Sequence, residues 1–177
     1  MKALLKSFLY AFSGFFYCLH NERNMRIHLT CVIYMFYFLF RFDFFKLEKV
    51  ELAMLLLTSA LVMMAELINT AFESTIDLVE KRYNKLAKTV KDTASGAVLV
   101  GAGFAVLIGL VLLWQPEAFK ALYSHYKENL LSLFLFVMSL LAALVYIFVG
   151  PLKLVSLITG KPMKTKNSPH KKKGAKK

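Results

Sequence analysis

Two long stretches without a single charged side chain most constrain this sequence. None occurs between Asp92 and Glu117, and none between Glu128 and Lys153; each gap is 24 residues long. A helix needs only about 20 apolar residues to cross a bilayer core. The gaps predict spans at roughly Thr93–Trp114 and Leu130–Leu152. Two further spans are expected at Leu29–Phe40 and Val50–Ile68, whose flanking charges lie where they can reach the interface. A 58% hydrophobic composition supports the same class, being above the roughly 45–50% usual in soluble proteins. The expected fold is an all-α membrane protein.

The net charge of +12 does not point to nucleic acid. Nine lysines and no acids lie in Lys153–Lys177, directly after the last expected span. A basic segment in that place reads as a determinant of membrane orientation and as a contact for anionic headgroups. Lys and Arg in residues 1–28, 71–92 and 153–177 number 18, against five in the intervening loops. The expected protein is multi-pass in the cell membrane, with both termini cytoplasmic.

The N-terminal segment has Leu4, Leu5, Phe8, Phe12, Phe15, Phe16 and Leu19 at spacings of three and four. This predicts a retained amphipathic helix lying in the interface. Cys18 and Cys31 have no metal-ligand or disulfide pattern and read as packing residues. His20 and His28 read as solvated interface residues, Trp114 and Tyr123 as interfacial anchors. Gln115–Asn129 reads as a loop, and "VGPLK" as the end of the last span. The expected divisions are 1–115, 116–152 and 153–177. The third is a lysine-rich, disordered cytoplasmic tail.

The stretch "AELINTAFESTID" sets acids against the end of an apolar run. On a helix advancing about 100° per residue, Glu66, Asn69, Glu73 and Asp77 fall within an arc of about 80°. Carboxylates stacked near lipid need compensating charge, and intramembrane acids are functional candidates by default. One compensator is a divalent metal, for which carboxylate oxygens are hard ligands. Another is the set of lysines at 81–91, which would make the stripe structural. "NERNMR", with Glu22, Arg23 and Arg26, and "VKD", with Lys91 and Asp92, are expected at the same face.

Three segments, "NERNMRIH", "AELINTAFESTIDLV" and "KDTASGAVLV", closely resemble the small integral-membrane bacterial lipid kinases of the diacylglycerol kinase and undecaprenol kinase family. The resemblance covers roughly residues 5–115. It implies a three-helix transmembrane core behind the interfacial helix, assembled as a homotrimer with active sites between subunits. It also implies ATP-dependent phosphorylation of a membrane lipid alcohol, diacylglycerol or undecaprenol. Residue by residue, it implies that Glu66 is the general base and that Glu22 and Glu73 ligate the Mg²⁺ bound to ATP. Asn69 would position the attacking group or the phosphate, Lys91 would contact the ATP phosphates, and Asp77 and Asp92 would complete the polar cage. The additional transmembrane helix and lysine-rich tail depart from the family's pattern. The alternative is a catalytically inactive membrane scaffold that recruits a partner through that extension.

Overall fold

The computed structural model describes residues 2–160. Among them are seven helices and no strand: α1 (Lys2–Asn21), α2 (Arg23–Arg41), α3 (Lys49–Val79), α4 (Lys85–Leu113), α5 (Pro116–Glu128), α6 (Leu130–Val149) and α7 (Pro151–Thr159). Three of them, α3, α4 and α6, are long and apolar enough to cross a membrane. Little of their most apolar windows is covered by the chain itself: 17%, 6% and 6%. Apolar surface of that extent is stable against lipid or another subunit, not against water. The protein is an all-α membrane protein.

The expected span Leu29–Phe40 is the apolar part of α2, and it does not qualify by itself. Twelve residues rise only about 18 Å, and Arg23 and Arg26 occupy the first turn of α2. This helix packs against α1, α3 and α6.

The lysine-bearing stretch 81–91 that follows α3 is mostly helical. Only the segment from Glu80 to Asn84 separates α3 from α4. Asn84 caps α4: its side-chain oxygen accepts from the amides of Leu86 and Ala87 at 2.9 and 3.5 Å, donors that lack helical partners. Glu80 accepts from Asn84 Nδ2 at 3.1 Å and from the Arg82 amide at 3.1 Å. So short a connection makes α3 and α4 an antiparallel hairpin, and it is the most extensive helix pair in the molecule.

The expected loop Gln115–Asn129 is also helical. Pro116 stands at the start of α5, where its missing N–H costs no hydrogen bond. Gln115 exchanges hydrogen bonds with the backbone of Lys46, donating to the carbonyl at 3.0 Å and accepting from the amide at 3.1 Å. This pair ties the two chain reversals at that end of the bundle.

Beside it, aromatic rings join α2 to α5 and α6. Phe136 stacks on Tyr126 at 5.3 Å between centroids and meets Phe38 edge-on at 5.5 Å. His125, for which the sequence offered no role, lies edge-on to Phe42 at 5.0 Å. Tyr34 donates to Ser139 Oγ at 2.9 Å.

The last expected span ends at Gly150 (φ +78°, ψ 151°), a conformation open essentially only to glycine. Beyond the break the chain resumes as α7, so the first residues of the expected disordered tail are helical. The rest of that tail, 161–177, lies outside the described residues. Of the two cysteines Cys18 is buried and Cys31 exposed, so only the first is a packing residue within the chain.

Candidate active site

The site begins with a buried carboxylate. Glu66 is only 2% exposed on α3, and its Oε2 has no hydrogen-bond partner among the described residues. A buried polar atom without a partner is costly, on the order of 1–3 kcal/mol. Such an atom calls for a ligand, a proton or an ion at that point. One turn further along α3, Asn69 is 6% exposed. Its amide donates to Glu73 Oε1 at 3.1 Å, and its carbonyl oxygen accepts from Ser95 Oγ of α4 at 3.4 Å. Asn69 thus holds a carboxylate on its own helix while contacting the facing one. Thr70 donates to the Glu66 carbonyl at 3.0 Å and leaves the carboxylate alone.

Glu22 lies in the break between α1 and α2 with extended backbone (φ −103°, ψ 123°). Its carboxylate and that of Glu73 both come within electrostatic reach of Glu66. Three acids from two separate parts of the chain therefore converge, and the spacing of 44 residues between Glu22 and Glu66 is closed by α2 packing on α3.

A cleft of about 230 Å³ opens on Glu66 and Asn69, walled by Asn24 and His28 of α2 and Ser95 of α4. An apolar groove of about 430 Å³ continues along α2, α3 and α4, lined by Cys31, Leu55, Val62 and Ala102 among others. Ile27, His28 and Ala102 belong to both.

The remaining expected site residues divide. Lys91 forms an ion pair with Asp77, so the structural pairing weighed as an alternative is realised for the outermost acid of the stripe. That pair borders a second, polar cleft with Glu80, Arg82, Tyr83 and Lys88. Asp92 is exposed near the start of α4 and is not brought into the Glu66 cleft. Arg26, expected beside Glu22 at the same face, is 6% exposed and binds backbone carbonyls. Sequence reasoning missed Asn24, His28 and Ser95. Helical phase carried a signal for each: Asn24 and His28 are four apart on α2, and Ser95 is four beyond Lys91 on α4.

Among the described residues no group of three or more His, Cys, Asp or Glu forms a metal cage. Mg²⁺ delivered with a nucleotide needs less, one or two carboxylates completed by phosphate oxygens and water. Hard oxygen donors flanking an unpartnered buried carboxylate oxygen fit that requirement. Glu22 and Glu73 are the residues that could supply them.

Known proteins share parts of this sequence. The diacylglycerol kinase of Synechocystis sp. is 45% identical over 114 residues, 64% of this chain and 63% of the relative. The undecaprenol kinase of Bacillus subtilis is 33% identical over 114 residues, 63% of this chain and 89% of the relative. The diacylglycerol kinase of Escherichia coli K12 is 32% identical over 68 residues, 38% of this chain and 56% of the relative. This chain thus spans less than two thirds of the Synechocystis protein's length. No solved structure matches it. Residues 9–113 match the prokaryotic diacylglycerol kinase family; they contain α2, the α3–α4 hairpin and every acid of the Glu66 cleft, and the chain belongs to that family.

Proposed function

We propose that this protein is an ATP-dependent kinase that phosphorylates the hydroxyl of a membrane lipid alcohol, diacylglycerol or undecaprenol, at the cytoplasmic face. The observation that carries the reading is Glu66: a buried carboxylate with an unpartnered oxygen, facing a cleft that continues into an apolar groove. A lipid alcohol cannot leave the bilayer cheaply, at about 0.8 kcal/mol per buried CH₂. Its hydroxyl must meet the nucleotide at the interface, and a groove leading to a carboxylate allows the apolar tail to stay buried.

In this reading Glu66 accepts the proton of the lipid hydroxyl as the oxygen attacks the terminal phosphorus of ATP. The bond between that phosphorus and the bridging oxygen of ADP breaks. Glu22 and Glu73 hold Mg²⁺. When bound there, the ion would neutralise charge on the phosphates. Asn69 keeps Glu73 oriented through its amide and offers a polar edge to the attacking group. Lys91 exchanges Asp77 for a phosphate oxygen of the nucleotide, and Asp77 and Asp92 close the polar rim. Positioning supplies much of the rate enhancement in phosphoryl transfer, since the protein does little covalent chemistry.

Two further statements belong to the same reading. Both termini are cytoplasmic, as the distribution of Lys and Arg indicates. The active assembly is a homotrimer, and Asp92, exposed outside its own subunit's cleft, is the candidate to reach a neighbour's; native mass spectrometry of the protein in lipid reads the copy number. The kinase reading is tested with purified protein in lipid, given Mg-ATP with diacylglycerol and undecaprenol in parallel. Transfer of labelled phosphate to one or both is expected. Phosphorylation of neither overturns it.

A further inference from the structure

Arg26 joins the family-matched region to a helix outside it. Its guanidinium donates from Nε to the carbonyl of Ile147 on α6 at 3.1 Å. From Nη1 it donates to the carbonyls of Leu19 and His20 on α1, at 3.3 and 3.1 Å. All three carbonyls are left over at helix ends, and the sequence says why. The residue four beyond Ile147 is Pro151, which has no N–H to donate. The helix that would have served Leu19 and His20 breaks at Glu22, whose backbone is extended. One cation with several donors in a fixed fork satisfies two helix C-termini at once, where carbonyl dipoles also favour positive charge.

The fit depends on Gly150. Its φ of +78° strains any other residue, although a Cβ placed there would meet the Arg26 guanidinium at no closer than 3.4 Å, an ordinary contact. Arg26 is four residues beyond Glu22, and the carbonyls it holds on α1 are two and three residues before it. The clamp therefore brackets the break that carries Glu22.

We propose that α6 is a positioning element of the candidate site: through Arg26 it holds the α1–α2 break, and with it Glu22, in place. The extension thus acts on nucleotide binding although its side chains lie outside the Glu66 cleft. The role given to Glu22 rests on the proposed function; the clamp itself does not.

The test uses the full chain in lipid with two variants, Gly150→Ala and Arg26→Lys. Gly150→Ala strains the end of α6, 128 residues along the chain from Glu22. Arg26→Lys keeps the charge but not the fork, and it serves if the glycine variant fails to fold. The first readout is hydrogen exchange of the amides at residues 19–24, expected to speed up about tenfold or more in either variant. The second is kinetic: KM for MgATP rises about fivefold or more, while KM for the lipid stays near that of the wild type. Unchanged exchange at 19–24 overturns the clamp. Faster exchange with an unchanged KM for MgATP, or a loss of kcat in step with unfolding, overturns the positioning role. A wild type that phosphorylates no lipid overturns the proposed function instead, and exchange then decides the coupling without it.

Discussion

At one end of the bundle Glu66, Asn69, Glu73 and Ser95 meet between α3 and α4; at the other, Tyr34, Phe38, Phe42, Tyr126 and Phe136 meet between α2, α5 and α6. Both regions bring separate helices together. The aromatic end does so with ring contacts, each pair contributing about 0.5–1.5 kcal/mol, and buries one neutral hydroxyl, that of Tyr126, without a hydrogen-bond partner among the described residues. The polar end leaves a buried carboxylate oxygen unanswered. Both ends keep a buried oxygen without a partner, but only that of the polar end belongs to a carboxylate and faces a cleft lined by polar side chains, where a substrate or ion would satisfy it. Unsatisfied polar groups and local violations of folding rules concentrate at functional sites for this reason.

The largest effect should come from the polar end. Glu66→Gln keeps the shape of the side chain but removes its basicity. It should lower kcat by about 10²–10⁴-fold, with KM for MgATP nearly unchanged and the protein still folded. A pH–rate profile of wild type and variant checks the assignment: the limb belonging to the base should vanish in the variant. Near-wild-type turnover by Glu66→Gln would remove the contrast between the two ends.

The Lys91–Asp77 ion pair sharpens it next. If Lys91 serves phosphate, Lys91→Ala should raise KM for MgATP by about tenfold or more, the scale of a lost charged hydrogen bond of about 1.5–3 kcal/mol. Asp77→Asn, which frees the lysine, should then change KM far less. Equal effects in steady-state kinetics would mark the pair as structural.

Phe136→Ala probes the aromatic end. The loss of its contacts with Tyr34, Phe38 and Tyr126 should lower the unfolding temperature in lipid or detergent, by about 1–3 kcal/mol of stability. The kinetic constants of the folded fraction should be unaffected. A selective rise in KM would mean that the aromatic end also reaches the site.

The smallest effect concerns the connection between α3 and α4. The Asn84 amide and the Arg82 N–H hold the Glu80 carboxyl below its ordinary pKa. A carboxyl with a depressed folded pKa stabilises above its unfolded value and loses that contribution as pH falls through the folded one. Exchange of the Arg82 amide should therefore stay slow above the ordinary glutamate range and quicken in acid below it. Glu80→Gln should weaken that pH dependence, with little change in global stability.

Much of the fold was legible in the sequence because hydrophobic length is a local property. The uncharged gap after Asp92 became most of α4, and the gap after Glu128 became α6 up to the glycine that ends it. The acidic stripe was legible for the same reason, since Glu66, Asn69, Glu73 and Asp77 lie on one continuous helix. The helical character of α5 was hidden, because its mixed polar and aromatic composition has no long apolar run. The role of Arg26 was hidden, because its sequence neighbours are charged whereas its spatial neighbours are the carbonyl ends of α1 and α6.

The sequence by itself determined which segments are too apolar for water and which carboxylates share a helical face; both follow from local composition and a fixed rise and turn per residue. Only the tertiary structure decided what meets across helices: Asn69 with Ser95, Lys91 with Asp77, and Arg26 with a helix 121 residues away. Those contacts depend on how the helices pack, which is not written in the spacing of residues along one segment even where, as at Pro151, the sequence marks the carbonyl left without a donor.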